Sequence, residues 1–326
     1  MNYTRISNSY LSETVLQNLL SNRSKLVDLQ EQISSGKRIQ KPSDDVVASI
    51  SVLSAKNSLE KIDNFLKNIS TAESELNITD STLSSTVDST IDARSLILQA
   101  INDSTGPEQL SIINDQIKQI IDNVKSLANT QVSNKYIFGG FKTGASPFEE
   151  PVPLSGLSVN GEIEYTGSPD TNYQRNVEIS DGVTIAMNMD GKKIFGEYYA
   201  SDWDSNPLTL DTLDGEGLLK TLISVANELE NTPPDKNILR QNLDSLDSNL
   251  SDIQNAQSQV GGVLSRLDLT RNILEDNKIN LKQMKSNAED IDITKAISDL
   301  QFQQTALQAS LQVSAQIIQP SLLNYL

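Results

Sequence analysis

Two long apolar ladders constrain this chain more than any other feature. In the first, Ala48, Val52, Ala55, Leu59, Ile62, Leu66, Ile69, Leu76, Leu83 and Val87 recur at steps of four and three, with Glu73 and Asp80 as polar rungs. In the second, Leu239, Leu243, Leu246, Leu250, Ile253, Val260, Leu264, Leu267, Leu274 and Leu281 do the same, with Gln257, Arg271 and Lys278 on the line. A period near 3.5 puts each set on one stripe of a helix and leaves Ser, Asn, Asp and Gln to water. Neither stripe is stable in solvent. The two ladders are expected to pack antiparallel on each other and on a shorter helix through Leu110, Ile113, Ile117, Ile120, Val124 and Leu127. The thin apolar share, 37% with 5% aromatic, suits helices that each bury a narrow seam.

The first ladder drifts near Ile91, Leu98 and Ile101 and stops at Asn102-Asp-Ser-Thr-Gly-Pro107, where Thr105, Pro107 and Glu108 form a helix-start signal. A short helical run through Leu218, Leu222, Val225 and Leu229 breaks at Asn231-Thr-Pro-Pro-Asp235 before the second ladder begins. Between them, residues 136–210 hold most of the Gly, Pro and aromatic residues. Asn160-Gly161 separates Leu157-Ser-Val159 from Glu162-Ile-Glu-Tyr-Thr166, and Asp181-Gly182 separates Val177-Glu-Ile179 from Val183-Thr-Ile185. Both read as hairpins. Asp190-Gly191 offers a third turn before Lys192-Lys-Ile-Phe195.

Outside the ladders, each end of the chain carries one more seam. Met1 to Asn8 is polar and reads as extended; from about Ser9 to Ser34, Val15, Leu19, Leu26, Leu29 and Ile33 form a stripe that only Asn22 interrupts. Gly36 supplies the left-handed residue that ends helices, and Arg38 lies in the elbow that follows. Pro42 turns its predecessor away from helix, Ser43 is a good N-cap, and Asp44 and Asp45 suit the positive end of a new helix dipole. A second elbow, Glu289-Asp-Ile-Asp-Ile-Thr294, precedes a last seam through Ile293, Ile297, Leu300, Leu307, Leu311 and Ile318. Two such helices alone offset poorly the roughly 1 to 2 kcal/mol of backbone entropy per residue, so they are expected to order fully only on polymerisation. Their apolar positions are the candidate assembly contacts.

The expected fold is mainly α, an elongated coiled-coil-like helical bundle built from both chain ends, with a small all-β domain inserted in the middle. Its expected limits are 1–42 and 293–326 for the two halves of a terminal coiled coil. The halves of a helical rod take 43–135 and 211–292, and the β insertion 136–210. Net charge of -17 argues against nucleic-acid phosphate and anionic membrane surfaces. With no cysteine and no histidine, disulfides, thiol chemistry, Cys/His metal sites and His-based triads are excluded. No signal-peptide pattern and no run of eighteen apolar residues is present, which by itself points to the cytosol. Gly139-Gly-Phe-Lys-Thr143 lacks the Gly-Lys-Ser/Thr of a phosphate loop, and Gly215-Glu-Gly217 has no preceding strand. Adjacent Asp44 and Asp45 suit capping better than acid/base work, and Asp290 and Asp292 complete no calcium loop. Trp203 stands alone in an acidic loop and reads as packing. No catalytic residue, cofactor or metal site is expected.

The Ser35-Gly-Lys-Arg-Ile39 segment followed by Asp44-Asp45 resembles the bacterial flagellin superfamily. Arg5-Ile-Ser7, Tyr10-Leu11, Tyr136-Ile-Phe-Gly-Gly140 and Ser321-Leu-Leu-Asn-Tyr-Leu326 are similar to its hook-associated junction branch. So are Asp290-Ile-Asp-Ile-Thr294 and the Leu300, Gln303, Gln304, Leu307, Gln308, Ala309 helix. The resemblance runs essentially end to end. It implies a structural flagellar protein, located outside the cell at the junction of hook and filament. The implied partners are the other hook-associated junction protein, flagellin, and further copies of the chain in a ring. It also implies export by the flagellar type III system with a cytoplasmic chaperone, without a cleaved signal peptide. Flagellin itself is the alternative, although its usual Ile-Asn-Thr-Asn-like opening and Leu-Leu-Arg or Leu-Leu-Gly ending are not found here. A soluble coiled-coil adaptor or an enzyme remains, with no constellation to support catalysis.

Overall fold

A computed structural model of the chain describes residues 8–102, 105–149, 164–165, 175–196, 217–231 and 233–318. The expected turn at Asn160-Gly161, Trp203, the Arg5-Ile-Ser7 segment and the Ser321–Leu326 ending lie outside them. Seven helices and six short strands are formed among these residues, and they divide between two compact units. One unit joins the two chain ends, Met1–Ile62 with Glu275–Leu326; the other is Asp63–Leu274.

The terminal unit contains α1 (Asn8–Ser35), the first turns of α2 (Val46–Ile101), the last turns of α6 (Lys236–Glu289) and α7 (Ile293–Ile318). α1 and α7 pack along each other. Their direction follows from their contacts: Asn22 meets Gln303 and Ser310, while Gly36 and Arg38 meet Ile291 and Glu289, so the helices are antiparallel.

In the second unit, α2 and α6 run antiparallel. Arg94 reaches Asp247 at 2.6 Å and Arg271 pairs with Glu73, so the partner number rises as the other falls. The expected ladders are the buried stripes. Ile69, Leu76 and Leu83 of α2, and Leu239, Leu246, Ile253, Val260 and Leu267 of α6, are shielded from water at heptad intervals. α3 (Pro107–Ala128) and α5 (Leu218–Glu230) complete the bundle. They contribute Ile113, Ile117 and Val124, and Leu218, Leu222 and Val225, to the same core. Amide side chains tie neighbouring helices, Asn123 donating to Ser89 Oγ at 3.0 Å and Asn249 to Thr221 Oγ at 3.0 Å.

The core contains an unusual share of threonine. Thr79, Thr82, Thr86 and Thr90 of α2 are buried, and each hydroxyl donates to the carbonyl four residues back, at 2.9, 2.8, 2.8 and 2.7 Å. Each buried hydroxyl is therefore satisfied inside its own helix. Together with buried Ala72, Ala93 and Ala100, these small side chains alternate with Ile69, Leu76, Leu83 and Ile97 on the core face of the helix.

Among the described residues, the connection from α3 to α5 carries three two-stranded antiparallel ladders. β1 (Gln131–Val132) and β2 (Lys135–Tyr136) form a hairpin that the sequence pattern does not announce. Its turn holds Ser133 and Asn134 at φ 50 and 62. β3 (Phe148–Glu149) pairs with β4 (Glu164–Tyr165), which falls within one expected strand. β5 (Asn176–Ser180) and β6 (Val183–Ala186) form the hairpin expected at Asp181-Gly182, with Gly182 at φ +70. The third expected turn is not one. Asp190 instead caps a one-turn helix, α4 (Gly191–Phe195), its Oδ1 accepting from the Lys192 N–H at 3.0 Å. Phe195 thereby enters a cluster edge-on to Phe138 at 5.0 Å and to Phe148 at 5.5 Å. Aromatic burial outweighs a strand too short to pair. A Cβ at Gly191 would lie 2.6 Å from the Phe138 carbonyl oxygen, so glycine is needed for this approach.

Candidate functional site

The residues singled out for assembly fall on α1 and α7. On α1, Val15, Leu19, Leu26, Leu29 and Ile33 are half-buried against α7, as is Asn22. On α7 the stripe facing α1 is Ala296, Leu300, Gln303, Leu307, Ser310 and Ser314, with Ala296 and Ser314 buried and the others half-buried. This line shares Leu300 and Leu307 with the expected seam but not its other members. Ile297 and Leu311 are 44% and 50% exposed. The expected seam is thus a neighbouring line: two heptad lines cross on Leu300 and Leu307, and the one facing α1 carries small and polar side chains. The Ile318 side chain lies outside the described residues.

Pairing leaves the outer faces of these helices apolar. Leu16, Leu20 and Val27 of α1, Val47 and Ile50 at the start of α2, and Ile293, Phe302 and Val313 of α7 all stand at least half in water. None belongs to the seam between α1 and α7.

The two elbows meet. Gly36 has φ +70, the left-handed conformation expected of it, and Lys37 forms an antiparallel bridge with Asp290. The Arg38 N–H donates to the Glu289 carbonyl at 2.7 Å and the Ile291 N–H to the Gly36 carbonyl at 3.1 Å. The Arg38 guanidinium donates to the Ala288 carbonyl at 2.9 Å and to Asp45 at 3.2 Å. Asp44 Oδ2 accepts from the N–H groups of Gln40 and Lys41 at 3.0 and 2.9 Å. That turn delays the next helix, so the N-cap of α2 is Asp45, whose Oδ1 accepts from Ala48 N–H at 3.0 Å. Ser43 is exposed and precedes the helix by three residues; the expected cap role passes to Asp45. At the other elbow Asp292 caps α7 through Lys295 N–H at 3.1 Å.

Glu289 is the residue that sequence reasoning missed. Its carboxylate, 6% exposed, lies 2.7 Å from Lys37, 3.4 Å from Lys56 and 3.5 Å from Lys285. Burial opposes its charge, yet the hydrogen bond from Lys37 and the three ammonium groups hold its carboxyl below the usual carboxylate range. Lys37 is raised in turn, first by that hydrogen bond and then by the Glu289 charge. Asp44 is lowered by the backbone N–H groups of Lys41 and Gln40, and Asp45 by that of Ala48 and by Arg38. The available signal was a basic Lys37-Arg38 pair in one elbow and an acidic Glu289-Asp290 pair in the other. This geometry positions the terminal helices. Among the described residues no three His, Cys, Asp or Glu cluster to hold a metal, and no helix is long and apolar enough to cross a membrane.

Both chain ends match described families. Residues 6–143 match the bacterial flagellin N-terminal helical region and residues 243–326 the bacterial flagellin C-terminal helical region. Flagellar hook-associated protein 3 of Salmonella typhimurium is 27% identical over 316 residues, 94% of each chain. The protein of that name in Escherichia coli is 23% identical over the same length, again 94% of each. Among solved structures, a putative flagellar hook-associated protein from Vibrio parahaemolyticus shares the fold. Its TM-score is 0.63 at 22% identity, over 76% of this chain and 100% of that one. The matched helical regions contain the helices that pair here as α1 with α7 and α2 with α6, and the relatives align over nearly the whole length. The chain belongs to the bacterial flagellin family, and along nearly its whole length it is similar to the flagellar hook-associated protein 3 of two bacteria.

Proposed function

We propose that this chain is a structural protein of the bacterial flagellum that joins hook to filament. Copies form a ring between the other hook-associated junction protein and flagellin. The observation that carries this reading is the unspent apolar surface of the terminal unit: Leu16, Leu20, Val47, Ile50, Phe302 and Val313 face water on helices already paired with each other. A neighbour in a ring would bury them, at about 25 cal/mol per Å² of apolar surface. The role is structural rather than enzymatic, in keeping with a site made of caps, bridges and helix faces. Before assembly the chain leaves the cell through the flagellar type III channel, held by a cytoplasmic chaperone until export. The site lies at the hook-filament junction outside the cell.

The test is electron microscopy of a strain that lacks the protein. Hooks without filaments, together with flagellin lost to the medium, are expected. Hooks without filaments and without free flagellin would instead make the chain the filament subunit, and normal filaments would end both readings.

A further inference from the structure

Two glycines stand side by side inside the 54 residues of α6, and packing does not ask for either. A Cβ at Gly261 or at Gly262 would meet no atom within 4 Å, so neither serves a close approach. Glycine is the weakest helix former after proline, because it loses the most backbone freedom when the helix forms. The helix nonetheless runs unbroken through the pair, and Ser265 Oγ donates to the Gly261 carbonyl at 2.9 Å. A hydroxyl bonded four residues back competes for the carbonyl that the helix itself uses. Such sites, and glycine and serine pairs, are where helices bend.

Two ion pairs fix the level of these glycines on the other long helix. Arg94 with Asp247 and Arg271 with Glu73 bracket it, and with equal rise along both helices Gly261 and Gly262 stand opposite about residue 81 of α2. That is where the α2 hydroxyls gather. Besides the four threonines, Ser85 and Ser89 donate to the carbonyls of Ser81 and Ser85 at 3.1 and 2.9 Å. Both long helices are therefore softened at one height. Bonds that brace the bundle lie on either side of it. Toward one end Asn123 holds Ser89 and Asn249 holds Thr221; toward the other, Asn68 Nδ2 donates to the Glu178 carbonyl at 2.8 Å, and Arg175 pairs with the Glu75 carboxylate.

We propose that the rod formed by α2 and α6 has a built-in joint at this level, where Gly261 and Gly262 let α6 bend and the back-bonded hydroxyls from Thr79 to Thr90 let α2 follow. The braced stretches on either side move as stiff segments. On the function proposed above, such a joint lets one chain adapt to two unlike neighbours. The joint itself is a property of the free chain and stands apart from that reading.

Because the full-length chain has no cysteine, two introduced thiols can carry spin labels at chosen places. Ser248→Cys and Asp276→Cys lie at exposed positions of α6 on either side of the glycines, about 42 Å apart along a straight helix. In this parent the distribution of label distances is expected to be broad and to reach below that length. Gly261→Ala with Gly262→Ala should narrow it about two-fold and slow amide exchange at residues 259–267 about ten-fold, since alanine restores helix propensity where nothing obstructs it. Thr82→Val with Thr86→Val, which removes two of the back-bonds, should narrow it by a smaller factor. Asn255→Ala with Asp268→Ala, a gain of helix propensity at exposed positions clear of the glycines, should leave the width as it is. The main thermal transition checks that each variant folds. An unchanged width in the glycine variant, or in the threonine variant, would overturn the joint. So would an equal narrowing with Asn255→Ala and Asp268→Ala, since the softness would then belong to the whole helix.

Discussion

Residues 63–274 bury many of their leucines and isoleucines among four helices, whereas in the terminal unit Ile39 and Ile62 alone are buried among those described and the rest are half-buried or exposed. Leu83, Ile117, Leu222 and Leu246 have no exposure at all or nearly none; no side chain of the α1 seam reaches that state. The difference lies in the number of faces covered. A helix in a four-helix core has neighbours on two or three sides, whereas among the described residues the main neighbour of α1 is α7. The terminal helices draw their order from the elbow and from a half-buried seam, which makes them the part of the fold that opens at low cost. Secondary structure alone would not have separated the two units.

Five measurements press on that contrast. Leu222→Ala opens a cavity among fully buried neighbours, so the main thermal transition should lose about 2 to 5 kcal/mol. A loss below 1 kcal/mol would mean that the second unit is as loosely packed as the first.

Acidification comes next. Glu289, Asp44 and Asp45 all have folded carboxyls held below the unfolded range. The unfolded elbow therefore binds more protons, and the stabilisation is complete above the ordinary carboxylate range. It is lost as pH falls below the ordinary carboxylate range and through the depressed folded values. Hydrogen exchange should show amides of 36–48 and 286–296 opening there before those of 110–127. Glu289→Gln should bring the elbow opening to neutral pH, by about 1 to 3 kcal/mol, because Lys37 keeps a weaker partner.

A smaller effect is expected from Asp45→Ala, which removes the N-cap of α2 and costs about 1 kcal/mol, read as faster exchange in the first turn of that helix. If Ser43→Ala has the larger effect, the assignment of the cap is wrong. The smallest change in stability should come from Leu307→Asp. Half-buried in the α1 to α7 seam, it should leave the main melting temperature within about a degree or two, because that transition belongs to the other unit. Filament growth should nevertheless fail. A large drop in melting temperature would place Leu307 in the common core, and normal motility would remove the seam from assembly.

Much of the bundle was legible because its apolar residues are both periodic and long. The ladders through Leu76 and Leu83 and through Leu246 and Leu267 admit one helical phase, and the same phase is buried. Gly36 and Gly182 were readable for a related reason, as positive φ is a demand that few residues meet. The α7 face was not, because Ile293, Ile297 and Leu311 advertise a seam that Ala296, Gln303 and Ser310 occupy. Hydropathy cannot tell a core line from an outward apolar line when the protein has use for both. Glu289 escaped for a different reason: its partners Lys37 and Lys56 are remote in sequence, and only the meeting of the two elbows brings them to it. The short helix at Gly191–Phe195 was decided by Phe138 and Phe148, which no local pattern reveals.

The threonines of α2 carry one more consequence, for the chain when it is not folded. A core built on Thr79, Thr82, Thr86 and Thr90 shields backbone and methyl groups in the native state, yet offers water a hydroxyl at each position once the helix melts. Stretches rich in such residues have little of the continuous greasy character that drives aggregation. The helix thus combines a filled interior with a sequence that gives an extended chain less reason to associate.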